Sequence, residues 1–221
     1  MQGTGNFLKI LTYFLVGMLC SLTSLGLFAG EQGQAENTST ALGIRIDSLK
    51  KVIETAEHDT IKVKALLQWD NLIYIANPEL DLELNQRILS LCEINLEKEL
   101  SDQEKMFFTS RLASSYNNIG IIYDDQSDYP RALDYYFKAL KIYEELGNKA
   151  DYAKASSAKQ GMAASYNNIG VIYKNQSDYP RALDYYFKVL KIYEELGNKA
   201  DYAKASSAKQ GMAASYNNIG V

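Results

Sequence analysis

From Asp178 to Gly197 the apolar side chains recur at helical spacing. Ala182, Tyr186, Val189 and Tyr193 fall at i, i+4, i+7 and i+11, and Leu183, Leu190 and Leu196 widen the stripe beyond a coiled-coil seam. Ser177 or Asp178 can cap the free N–H groups, and Pro180 lies in the first turn, where a missing donor costs little. Gly197-Asn198 is a stop signal. Upstream, Tyr166, Ile169, Gly170 and Tyr173 also share a face, which predicts a first helix paired with the second. Gly170 costs about 0.5–1 kcal/mol relative to Ala in a helix, a cost that makes sense where the partner comes close. The stretch KADYAKASSAKQGMAAS before it reads as a continuous or gently kinked extension from about Ala150 to Gln176. At 1.5 Å per residue that helix is roughly 40 Å long. The alternative is a break at Ser156, Ser157 and Gly161.

The same two-helix pattern appears earlier, because residues 114–171 superpose on 164–221 at a lag of 50. The copies differ only at Ser114/Ala164, Ile121/Val171, Asp124/Lys174, Asp125/Asn175 and Ala139/Val189. Packing would restrain apolar positions alone, so identity at polar positions as well points to recent duplication. A period in this range signals a solenoid or array. The predicted fold is all-α, with repeats over 101–149 and 150–199 and a first helix cut mid-pattern over 200–221.

Residues 43–100 carry no close copy and read as a degenerate N-terminal helical hairpin or cap, as terminal repeats often diverge. Leu49 and Ile53 mark a short helix over Ile46–Ala56. Asp59 can cap Thr60–Ile75, with Val63, Leu66, Leu67 and Ile73 as its apolar face. Asn77-Pro78 breaks the chain before Leu82–Leu96, where Leu89, Leu91, Cys92 and Leu96 recur. Trp69 and Cys92 read as core residues, and His58 as a solvated or capping residue at a helix boundary.

At this point the motif becomes specific. Tyr116, Ile119, Gly120, Tyr123, Ala132, Tyr136 and Ala139, then Tyr166, Ile169, Gly170, Tyr173, Ala182, Tyr186 and Val189, follow one spacing; Tyr216, Ile219 and Gly220 begin a third copy. This pattern resembles the tetratricopeptide repeat family. The resemblance implies tandem antiparallel helical hairpins in a right-handed superhelix, here with a 50-residue period in place of the usual 34. Glu144 and Glu194 occupy the usual closing proline, and Ser127 and Ser177 the small turn glycine.

The resemblance also implies a concave groove lined by the first helices, binding protein or peptide. Asn118, Asn168 and Asn218 match the position that holds a bound backbone in some family members, with Asn117, Asn167 and Asn217 one residue before. An amide offers donors and an acceptor, so it can satisfy an extended peptide whatever its side chains. The other reading is that one Asn of each pair bridges repeats or caps a loop. Asp124 and Lys174 are where the copies diverge along this face, and so where ligand selectivity would be written. Exported arrays of this kind also look similar to the input regions of bacterial envelope sensor proteins, whose output is a histidine kinase, nucleotide cyclase or DNA-binding domain. A self-associating module, pairing through the terminal helix, is the third expectation.

The 221 residues, with 17 Tyr and 47% hydrophobic, argue against wholesale disorder, and a net charge of −4 gives no general reason to hold nucleic acid. No CxxC, HExxH, GxxxxGK[ST] or GxSxG is present, and one histidine supports neither a hydrolytic triad nor a metal site. No catalytic residue, cofactor or metal is therefore expected. Residues 10–30 lack charge behind Lys9, which predicts a signal peptide or an uncleaved membrane anchor, with a buried helix as the third reading. A polar linker follows over 31–42. The expected location is the periplasm or cell envelope, with membrane contact only through residues 10–30.

Overall fold

The computed structural model describes residues 40–73, 76–149, 152–196 and 213. Among the described residues there are seven helices and no strand. Contacts divide the chain into residues 1–50 and 51–221, each described by itself. The first unit is described only over 40–50, where α1 (residues 40–55) begins. In the second unit follow α2 (Asp59–Ile73), α3 (Pro78–Leu96), α4 (Asp102–Asp125), α5 (Tyr129–Lys149), α6 (Tyr152–Asn175) and α7 (Tyr179–Leu196).

Local chemistry sets where these helices start. Asn77 Oδ1 accepts from Leu80 N at 3.1 Å with Pro78 in the first turn, so the predicted chain break is the N-cap of α3, and the helix starts at Pro78, four residues before the expected Leu82. Ser101 and Glu104 close a reciprocal capping box on α4. At the start of α7, Asp178 is the cap: its Oδ1 accepts from Arg181 N at 3.2 Å, as Asp128 Oδ1 does from Arg131 N on α5. Before each cap, Ser127 and Ser177 take the left-handed conformation (φ 60° and 62°) that glycine favours. Asp128 N and Asp178 N then bond Tyr123 O and Tyr173 O, closing off α4 and α6.

Each helix from α2 onward packs on the next, and α4 also touches both α2 and α6. This is an all-α helical-repeat fold. Within each repeat hairpin the closest approach is at glycine. A Cβ on Gly120 would lie 2.6 Å from the Tyr136 ring, and one on Gly170 2.7 Å from Tyr186. Both tyrosine side chains are fully buried, as are Ala132, Ala139 and Ala182, with Val189 nearly so. Tyr123 and Tyr173 are buried at the same interface, and Tyr116 and Tyr166 are half-buried beside it. The residue before Tyr123, Ile122, is buried as well.

α6 runs unbroken from Tyr152, so Ser156, Ser157 and Gly161 do not interrupt it. Gly161 instead lets Tyr143 of α5 lie against the helix, where a Cβ would meet the ring at 2.5 Å. Cys92 is buried, and burial pushes its thiol up to about 12. Trp69 is half-buried and His58 exposed; the His58 carbonyl accepts from Ile61 N and Lys62 N as α2 begins. No helix of the described residues is long and apolar enough to cross a membrane. The expected signal or anchor, the linker as far as residue 39, and nearly all of 200–221, with Asn217 and Asn218, lie outside the described residues.

Candidate peptide-binding face

The first helices α4 and α6 carry the asparagine pairs at matching heights, and Asn117, Asn118, Asn167 and Asn168 are all half-buried. Both amides of the first pair have partners on neighbouring helices. Asn117 Oδ1 accepts from Ser165 Oγ at 3.1 Å, joining α4 to α6, and Ser165 itself is fully buried. Asn118 Nδ2 donates to Asn85 Oδ1 of α3 at 3.2 Å. The chain thus uses Asn117 as a bridge between repeats and Asn118 as a link to the preceding hairpin. Asn118 keeps a second N–H and its carbonyl oxygen for other partners.

The Asn118 link leads into a buried polar cluster that sequence reasoning missed. Asn85 is fully buried, and its Nδ2 faces Asp70 Oδ1 at 2.8 Å, Asp81 Oδ1 at 2.7 Å and Asp81 O at 3.0 Å. Asp70 and Asp81 are themselves buried. Burial, followed by the adjoining Asp81 carboxyl, pushes Asp70 far above the ordinary carboxylate range, so it holds a proton that Asp81 can share. The available signal was Asp81 and Asn85, four apart, on the otherwise apolar face of Leu84, Ile88, Leu89 and Cys92.

Two turns on from Asn117 and Asn167, Asp124 and Lys174 are half-buried, flanked by exposed Asp125 and Asn175. Burial and then the neighbouring Asp125 raise Asp124 above its usual value. The two first helices therefore offer the same amide pair followed by opposite charges.

The edge between first and second helices is built alike in both repeats. Tyr123 stacks on Tyr135 and Tyr173 on Tyr185, each pair 5.6 Å between ring centres. Arg131 and Arg181, held by Asp128 and Asp178, lie over Tyr123 and Tyr173 at 4.2 and 4.3 Å. Tyr116 Oη donates to Glu93 of α3, and Tyr166 Oη to Glu144 of α5. Glu144, at the usual place of a closing proline, thus ties one hairpin to the next. Burial first, then the facing carboxylate, raises both phenols to about 12.

The family model described as tetratricopeptide repeat matches residues 113–146 and 163–196. No curated protein matches the chain. Among solved structures, the crystal structure of BtubC (BKLC) from P. vanneervenii is similar at 20% identity. It covers 81% of this chain and 85% of that one, with a TM-score of 0.43.

Proposed function

Residues 113–146 and 163–196 being tetratricopeptide repeats, we propose that this chain is a non-catalytic scaffold that binds protein or peptide across α4 and α6. The observation that supports this reading is the matched pair of first-helix faces. Each presents half-buried amides and then a charged position, carried on hairpins whose packing is the same. Hairpins locked by glycine–tyrosine contacts hold such a row rigidly, which lowers the ordering cost of binding. Asn118 and Asn168 take the bound backbone, while Asn117 spends its carbonyl on the α4–α6 bridge. Asp124 and Lys174 choose the ligand by charge, since the copies are otherwise nearly alike along this face.

The test is charge reversal. Peptides selected on the protein from a displayed library should bind Asp124→Lys and Lys174→Asp variants with altered affinity at low ionic strength, and the difference should shrink at high salt. Unchanged binding at low salt would exclude these positions from the site. The uncharged run over residues 10–30 supports placing the scaffold outside the cytoplasm. N-terminal sequencing of mature protein from cell fractions would distinguish a cleaved signal from a retained anchor.

A further inference from the structure

The half-open cleft between the leading turns of α4 and α6 and the end of α5 has a volume of about 440 Å³ and belongs to neither matched repeat face. It is large enough for a small organic ligand. Most of its lining residues lie outside the two matched repeats. Met106, Ser110 and Arg111 precede the first matched repeat on α4, and Ser157, Gln160 and Gly161 precede the second on α6.

Arg111 Nε is buried with no hydrogen-bond partner among the described residues, and its guanidinium lies 5.7 Å from the Phe107 ring centre. No carboxylate is among the described residues that line the cleft. Beside the cation, Ser114 Oγ donates to Ser110 O at 3.0 Å and lies 3.2 Å from Tyr143 Oη, and Tyr143 is held in place by its contact with Gly161. Met106 and Leu146 supply apolar wall. Arg111 lines the cleft, and a planar guanidinium beside a hydroxyl matches a carboxylate. Among the described residues the arrangement occurs once. Fifty residues on, Gly161 stands at the place of Arg111, just ahead of the duplicated segment, and Ala164 at that of Ser114, so the second repeat carries neither the cation nor the hydroxyl.

We propose that this cleft binds a small organic monocarboxylate, its carboxyl on Arg111 and on Tyr143 Oη, which is freed to donate when the Ser114 proton turns from Ser110 O to Tyr143, and its apolar body against Met106 and Leu146. The site is independent of the peptide-binding reading and stands or falls separately.

The full chain would be titrated with hexanoate and benzoate by calorimetry and by NMR of the methionine methyls. Hexanamide and benzamide serve as uncharged controls and inorganic phosphate as a charge-only control. The expected result is saturable one-to-one binding of a carboxylate, at least about tenfold tighter than its amide. It should shift the Met106 methyl, be lost in Arg111→Gln and persist in Asn168→Ala. Ser114→Ala, the residue already present at position 164, should weaken binding several-fold and decides the matter if Arg111→Gln fails to fold. No saturable carboxylate binding, equal binding of acid and amide, competition by phosphate as strong as by hexanoate, or unchanged affinity in a folded Arg111→Gln or in Ser114→Ala would each overturn the proposal.

Discussion

Hairpin α2–α3 and hairpin α4–α5 solve the same packing problem with opposite chemistry. In α4–α5 the inter-helix contact is Gly120 against the Tyr136 ring, with Ala132 one turn before it. In α2–α3 it is Asp70 against Asn85, with Asp81 one turn before. The positions correspond: Asp81, Asn85, Ile88, Leu89 and Glu93 share the spacing of Ala132, Tyr136, Ala139, Leu140 and Glu144, and both glutamates accept from a tyrosine on the next helix. A small–large interlock gains from dispersion and water exclusion and is indifferent to pH. Its polar substitute depends on a complete hydrogen-bond set and on a retained proton. α2–α3 adds a charged clasp at its open end, where Asp59 meets Lys62 at 2.9 Å, Asn95 at 3.0 Å and Lys98 at 3.4 Å. Sharing a hairpin shape does not require sharing its interior.

The largest effect should come from removing the hub of the polar substitute. Asn85→Leu leaves two buried carboxyl groups without their donor and should cost about 3 kcal/mol or more in urea unfolding. The comparison is sharpest in the triple variant Asp70→Gly, Asp81→Ala, Asn85→Tyr, which writes the repeat interlock into α2–α3. It should fold and regain most of that loss; failure to fold would deny the correspondence of the two hairpins.

Next in size, Gly120→Ala and Gly170→Ala should each destabilise by about 1–3 kcal/mol, since each added Cβ must displace a buried ring. Gly43→Ala, with nothing within 4 Å of the added Cβ, should not destabilise.

Titration separates the hairpins further. The Asp70 pKa is raised, so its contribution is complete below the unfolded carboxylate value near 3.8 and is lost as pH rises towards about 8. Lys62, with Asn95 next, lowers Asp59 to about 2, so that contribution is complete above the unfolded value and is lost as pH falls towards 2. Stability from α2–α3 should therefore decline on both sides of about pH 4. In Asp70→Asn the decline on the alkaline side should vanish and the acid side remain, as followed by denaturant midpoints across pH.

The smallest effect is expected at Tyr186→Phe. The Tyr186 hydroxyl is buried with no hydrogen-bond partner among the described residues, and burial raises its pKa to about 12. Removing it should leave stability unchanged or raise it by less than about 1 kcal/mol. A loss larger than that would mean the interlock uses the hydroxyl.

Much of this architecture was legible from the chain alone, because helical spacing, caps and glycine positions are local or periodic. The stripe of Ala182, Tyr186, Val189 and Tyr193, the cap at Asp178 and the lag of 50 follow from bond geometry and the 3.6-residue turn, whatever surrounds them. The asparagine pairs were visible too, but their partners were not. Asn117 finds Ser165 and Asn118 finds Asn85, 48 and 33 residues away, and those distances close only once neighbouring helices are docked. Docking also turned Gly161 from a possible break into a seat for Tyr143, made a buried cluster of Asp70, Asp81 and Asn85, and set Arg111 in a cleft with no acceptor for its Nε among the described residues. Periodicity tells a side chain which face it occupies. Only the packed neighbour sets its solvation, its proton and its partner.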